Sequence, residues 1–463
     1  MATVDDVSEL TAERFRRMSP GNGPKLPPVD LTGFPPGPRW PVLIQTAGLL
    51  RFRHRFHPHL RKKYGDAFTV RLAPGGRPLV FFTRPEHAKE IFAGDPEVFH
   101  AGKANGILGP IMGEHSLLLQ DSSQHKRARK LLMPAFNGHA LREYHGLVTE
   151  VARAEVGTWH SGETFRSLDR MNRLTLEVIL RVVFGVTDER RLAELRPRVN
   201  KTVNVSPVIL LGWGYPRLQK FGPWKKTVDN QRELDELMYA EIRERRSAPD
   251  LAERTDVLSK LIVQGEDGDA LTDNELRDQL VTLLLAGHET TATALAWALY
   301  EAGRDPELLA RCRTAATEGD DDFLDAVMKE SMRLHPVIPM VVRTLMKPAT
   351  VAGYDLPQGT TVGPSIILAH QREDNHEDPE VFRPERFRRR PEDRFEFIAQ
   401  GGGQHATHHR CPGEWITLGL IKRALVQLAG EMTYQVPPQD LSIDFQRLPA
   451  LPHSGFVMTH VGG

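Results

Sequence analysis

The chain has 463 residues, with 60 lysines and arginines set against 60 aspartates and glutamates, so its net charge is near zero. That balance speaks against a nucleic-acid binder, whose electrostatic footprint is a basic face. Only two cysteines occur, Cys312 and Cys411, which excludes a disulfide framework and fits a reducing compartment. No apolar run is long enough to span a bilayer and no signal-peptide core opens the chain. The expectation is a cytoplasmic monomer with no transmembrane segment and no nucleic-acid partner.

Residues 1–30 are polar and read as a flexible N-terminal arm. Gly33–Pro41 is too proline-dense for a helix or sheet interior and reads as a stiff surface strap. Residues 50–64 are basic and helical. Phe68–Leu72 and Leu79–Phe82 flank a Pro/Gly-rich stretch, Pro74–Pro78, which predicts a β-hairpin. From about 85 to 335 the helical period dominates, with loops near 100–118 and 203–224. Both loops are apolar (Ile107, Leu108, Ile111, Met112; Val208, Ile209, Leu210, Leu211, Trp213). They read either as packed loops or as walls of a greasy pocket. Residues 349–367 alternate like a second hairpin, with Pro357-Gln-Gly359 at its turn, and short strands follow Tyr434. Residues 31–463 thus read as a single domain, mainly α with a smaller β portion.

Thr272-Asp-Asn-Glu275 is a capping box, and the helix it starts runs apolar from Leu276 to about Ala302, long enough to cross a core. Inside it lies Ala286-Gly-His-Glu-Thr-Thr291. Buried glutamate is rare unless paired or functional, glycine weakens a helix, and threonine bends one. The stretch reads as a local distortion carrying a polar pair, Glu289 and Thr290, at a ligand face. The plain alternative is a satisfied polar contact beside a helix-packing glycine.

Near the C-terminus, Gln400-Gly-Gly-Gly403 leads through His405, His408, His409 and Arg410 to Cys411-Pro-Gly413-Glu414, where a helix begins and runs to about Met432. A thiol before a helix N-terminus is favoured as thiolate. A thiolate in a glycine-lined loop suits the proximal position of an iron porphyrin. The alternatives are a small buried hydrophobe or a zinc site built with the neighbouring histidines.

In four segments in order, the chain resembles the cytochrome P-450 superfamily: Ala286–Thr291, Glu330-Ser-Met-Arg333, Phe382–Phe387 and Cys411-Pro-Gly413. The resemblance covers about residue 35 to the end. It implies haem b as cofactor, Cys411 as metal ligand, Glu289 and Thr290 as catalytic residues beneath a long central helix over the haem, and a structural cluster of Glu330, Arg333 and Arg386. It implies cofactor contacts from His125, Arg129, Arg343, His409, Gly403 and Gly413. Read without the family, Glu330 and Arg333 share a helix face at i, i+3, and a carboxylate forked by arginines can brace a loop.

The family's usual loop is altered here, since Gln404 stands seven residues before Cys411 where phenylalanine is usual, and the glycines lie further upstream. Residues 395–463 resemble the bacterial fatty-acid peroxygenases, whereas the chain to about 394 resembles the monooxygenases. Those peroxygenases carry an arginine in the central helix. Here none lies between Arg277 and Arg304. A natural mosaic and an engineered fusion both fit this pattern. The resemblance implies a monooxygenase acting on a lipophilic substrate with O₂ and electrons from a separate ferredoxin or flavodoxin, Thr290 ordering water and Glu289 relaying protons. A hydrogen-peroxide-dependent peroxygenase is the alternative, and a non-catalytic haem sensor is a third. Lys126, Lys130, Arg410, Lys422 and Arg423 form a candidate basic docking surface, or else are ordinary solvated charges.

Overall fold

The computed structural model describes all residues except 1–3, 20–29, 74, 137, 187, 205, 207–208, 210–211, 213–214, 265–268, 389–394, 415–416, 418, 420–421, 423–425, 427–432, 445–450 and 463. Val208, Leu210, Leu211, Trp213, Arg423 and part of the helix after Glu414 therefore lie outside the described residues. Positions 414, 417, 419, 422 and 426 of that segment are helical.

The N-terminal segment corrects the reading of a flexible arm. Val4–Met18 forms helix α1, which buries Val7 and Phe15 in the main helical core. Few apolar residues hold it, so its polar composition hid it from a pattern reading. After the strap come α2 (Val42–Arg51) and α3 (Arg53–Tyr64). The strap itself is docked on a strand: Thr69 donates its N–H to Pro36 O at 3.0 Å and its hydroxyl to Pro35 O at 2.7 Å. A Cβ on Gly37 would fall 1.9 Å from Thr69 O, so only glycine permits this approach.

The expected first hairpin forms from β1 (Ala67–Leu72) and β2 (Arg77–Phe82), with Val70 opposite Leu79. It is the edge of a five-stranded sheet, β1-β2-β8-β5-β3, completed by β3 (Phe99–His100), β5 (Arg343–Leu345) and β8 (Thr361–Pro364). The second hairpin is shorter than expected and turns elsewhere. Its strands are β6 (Ala349–Val351) and β7 (Tyr354–Leu356), and it turns at Ala352-Gly353, both at positive φ. Pro357-Gln-Gly359 instead leads into β8, which pairs parallel with β2. A three-stranded sheet holds β4 (Thr164–Arg166), β9 (Thr433–Gln435) and β10 (Val457–Gly462), so the C-terminal strands close on the chain's middle.

Between the sheets lie the helices: α4 (Pro85–Phe92), α5 (Ala101–Ala104), α6 (Gly109–Met112), α7 (Ser122–Leu132), α8 (Gly138–Val156), α9 (Ser167–Phe184), α10 (Glu189–Val203), α11 (Gly222–Arg246), α12 (Val257–Gln264), α13 (Asp273–Gly287), α14 (Glu289–Gly303), α15 (Pro306–Glu318), α16 (Asp321–Leu334) and α17 (Ile366–His370). Short helices α5 and α6 replace the loop expected near 100–118, and Ile111 and Met112 are buried while Ile107 is exposed. The capping box starts α13 as expected: Glu275 N donates to Thr272 Oγ1 at 3.2 Å and Thr272 N to Glu275 Oε2 at 2.8 Å. The predicted single central helix is broken at His288, where φ/ψ is −82°/−76°, so α13 and α14 are separate helices.

A buried ionic network ties α1 to this centre. Asp235 on α11 accepts from Arg14 on α1 at 2.6 Å and from Arg277 on α13 at 2.7 Å, and Arg277 reaches Asp278 at 2.8 Å. Arg277 also donates to Ile111 O and Met112 O, so the α6 segment is held by the same guanidinium.

Candidate haem-thiolate site

The loop before Cys411 is shaped by glycine. Gly401 and Gly403 have φ of +82° and +92°, and a Cβ on Gly403 would lie 2.9 Å from Phe92 O. Gly413 differs: a Cβ there would meet Cys411 Sγ at an ordinary 3.9 Å, so the chain's own atoms do not require glycine. Cys411 N donates to Gln400 O at 3.0 Å and its carbonyl receives His405 Nε2 at 3.1 Å. Burial pushes the thiol up to about 11; the Gly413 N–H, Arg129 and Arg410 pull the other way and Glu414 adds to the rise. The helix terminus thus favours the thiolate but desolvation outweighs it, and a coordinated cation is what would ionise this sulfur.

The neighbouring histidines do not converge as a zinc site would require. His408 Nδ1 accepts from Gln404 N at 3.0 Å, and His409 stacks on His125 with centroids 3.7 Å apart. No group of three or more His, Cys, Asp or Glu that could hold a metal ion occurs among the described residues.

Around this loop collects an anion receptor. Arg129 is 1% exposed and donates from Nε to His405 O at 2.6 Å, while its Nη2 has no partner. Arg343 is 3% exposed, lies over the Phe92 ring at 5.0 Å, and its Nη2 is also without a partner. His125 Nε2 is a third orphan. His409 Nε2 faces Asp121 Oδ1 at 3.6 Å, a charge contact longer than a hydrogen bond. Asp121, His125, Arg343 and His409 border one recess, which Phe92, Phe99 and His408 also line. Burial lowers both arginines to about 10 and His125 to about 3. Buried cations without a salt bridge are costly, so the open donors of Arg129 and Arg343 suit an anionic ligand beside this loop.

Residues 35–447 match the family described as Cytochrome P450. This chain belongs to that family. The P450 is 52% identical over 358 residues to cytochrome P450 135A1 of Mycobacterium tuberculosis, an alignment covering 77% of this chain and 80% of the relative. It is 41% identical to P450 135B1 of Mycobacterium bovis, over 85% and 84% of the two chains. Among solved structures, the cyanobacterial CYP120A1 bound to retinoic acid aligns with a TM-score of 0.77 at 22% identity, over 92% of this chain and 99% of that one. A variant of the P450 SP alpha (CYP152B1) aligns at 0.75 and 25%, over 90% and 99%. The family's cofactor is haem b, which carries two propionate carboxylates.

Arg129, Arg343, His125 and His409 therefore gather beside the glycine loop, and a structural cluster braces it. Glu330 Oε2 accepts from Arg333 Nε at 2.7 Å, and Oε1 from Arg386 Nε at 3.0 Å and Arg383 N at 2.8 Å. Glu330 and Arg333 are fully buried. Two contributors escaped the sequence reading. His370 donates from Nδ1 to Arg333 O at 3.2 Å and receives Ile398 N–H at Nε2 at 2.9 Å, which carries the cluster's rigidity to the ligand loop. Asp121 accepts Gly102 N and Lys103 N, both at 2.9 Å, while facing His409. Neither lies in a local motif, so only long-range contact reveals them.

Glu289 and Thr290 stand at the α13–α14 break rather than in the Cys411 loop. Glu289 is buried, Thr290 half-buried, and Ala286 exposed, so the break borders open space. Thr290 donates its hydroxyl to Ala286 O at 2.5 Å, the back-bond that bends helices. His288 points the other way, Nδ1 meeting Thr175 Oγ1 at 2.9 Å. A Cβ on Gly287 would lie 2.7 Å from Ile179 Cδ1, so this glycine does serve helix packing, against α9. Of the expected docking cations, Arg410 forks onto Glu414 at 2.6 Å twice and Lys422 reaches Asp321 at 3.0 Å, so both are neutralised in place. Lys126 and Lys130 are exposed, and Arg423 lies outside the described residues. Among those residues, no helix is long and apolar enough to cross a membrane.

Proposed function

We propose that this oxidoreductase is a monooxygenase, inserting one oxygen atom from O₂ into a lipophilic substrate with electrons from a separate ferredoxin or flavodoxin. The observation that carries this reading is the helix break at Ala286–Thr290, which keeps a carboxylate and a hydroxyl in a helix free of arginine from 278 to 303. Cys411 would hold the iron, and Arg129, Arg343, His125 and His409 the propionates. When bound, haem b supplies the oxygen activation that no side chain can perform.

The chain's own groups do the positioning. Thr290 has given its hydrogen to Ala286 O, so Oγ1 presents lone pairs that accept from a water. Glu289 beside it carries protons inward to that water, which is general-acid work by a placed group. The long loop with its glycines upstream at Gln400–Gly403 favours a second reading, a hydrogen-peroxide-dependent peroxygenase.

Turnover with a ferredoxin, its reductase and NADPH, compared with peroxide alone, decides between them. Product with the electron donor is expected, and product with peroxide only would replace the first reading by the second. Glu289→Gln and Thr290→Ala are expected to uncouple O₂ consumption from product, and unchanged coupling in both would remove the relay.

A further inference from the structure

Helix α2 inverts the usual amphipathic rule. Its buried positions include a polar residue, Gln45, which donates to Pro38 O at 3.1 Å and Trp40 O at 2.7 Å and accepts Arg71 N–H at 2.8 Å. Its outward stripe is apolar instead. Leu43 is 74% exposed and Ile44 55%, with Ala47 and Leu50 on the same face at i+4 and i+7 from Leu43. Phe52 follows at 52%, at the junction with α3, and Trp40 precedes at 36%, stacked on His59 of α3. Single exposed apolar side chains are ordinary, but a contiguous set is not.

Along this stretch of the chain charge has one sign only. Residues 31–65 contain no aspartate or glutamate. Arg39, Arg51, Arg55, Lys62 and Lys63 are all exposed there, in a chain whose total charge is zero. An apolar stripe on a short helix, flanked by cations, fits a surface that is apolar below and anionic above.

We propose that α2 and the start of α3 dock this protein, without spanning, onto an anionic lipid membrane, with Leu43, Ile44, Leu50 and Phe52 entering the headgroup–acyl boundary. The occupant is a lipid surface rather than a second copy, because a copy would bring like-charged cations against these. This goes beyond the catalytic proposal and does not depend on it.

The test uses the haem-loaded protein, sedimented with vesicles of phosphatidylcholine alone or of phosphatidylcholine with phosphatidylglycerol. Binding to the anionic vesicles is expected, weakened by salt. Leu43→Glu/Ile44→Glu is expected to weaken it at least about tenfold, and Arg55→Gln or Lys62→Gln by about fivefold each, with the haem spectrum unchanged. Absence of binding by the parent protein, or binding indifferent to the Leu43/Ile44 pair, overturns the proposal. A concentration-dependent dimer in sedimentation velocity that the same pair abolishes, without vesicle binding, would assign the face to a second copy instead.

Discussion

Arg129 and Arg343 are buried cations that make no salt bridge among the described residues, and their cost falls on the folded chain until an anion arrives. Two opposite effects of one substitution follow. Arg343→Leu should stabilise the haem-free protein, since it removes a buried charge that makes no salt bridge. It should also weaken haem retention by at least about tenfold, the worth of a charge-assisted hydrogen bond. Chemical denaturation of the haem-free form and haem transfer to an acceptor protein read the two separately. Cys411→Ser should abolish the long-wavelength ferrous–CO band that reports a thiolate ligand, and a surviving band would dismiss Cys411 as the ligand.

At the scale of elements, two buried carboxylates each tie distant segments together. Glu330 joins α16 to the segment carrying Arg383 and Arg386, and through Arg333 and His370 to Ile398 at the head of the cysteine loop. Glu330→Ala should cost about 3–5 kcal/mol, because Arg333 is left buried and unpaired, and haem loss should accelerate with it. Asp235 joins α1 to α13. Asp235→Ala strands Arg14 and Arg277 and should cost a similar amount, about 3–5 kcal/mol, while exposing Val4–Met18 to limited proteolysis. Proteolysis no faster than in the parent would mean that the remaining contacts, among them Val7, Phe15 and Arg14 to Pro110 O, hold α1 without Asp235.

Over the whole molecule, the titration of buried groups sets an acid limit. His57 and His370 are fully buried, and desolvation lowers each to about 3, with Arg53 and His54 adding to the effect at His57 and His376 and Arg333 at His370. An unfolded histidine titrates near 6.5, so below that pH the unfolded chain binds more protons. Stability is then full above about pH 6.5 and falls as pH drops toward 3, by about 1.4 kcal/mol per pH unit for each histidine. Asp235, held below the usual carboxylate range by Arg14 and Arg277 against its burial, loses its share in the same direction at lower pH. Urea midpoints from pH 8 to 4 should show this slope, and His57→Gln should shallow it.

What could be read from residue order alone was whatever depends on near neighbours. The capping box at Thr272, the i, i+3 pair of Glu330 and Arg333, the first hairpin and the glycine loop before Cys411 are all local, so short-range spacing was enough. The turn of the second hairpin was misread because Pro357-Gln-Gly359 and Ala352-Gly353 both carry turn chemistry, and only β8's pairing with β2 chooses between them. Helix α1, His370 and Asp121 stayed hidden because their partners lie 18 to more than 200 residues away. Composition and motif order determined the family and its cofactor. The tertiary structure alone decided which cations are left buried without a salt bridge, since desolvation depends on what packs around a group and not on what precedes it in the chain.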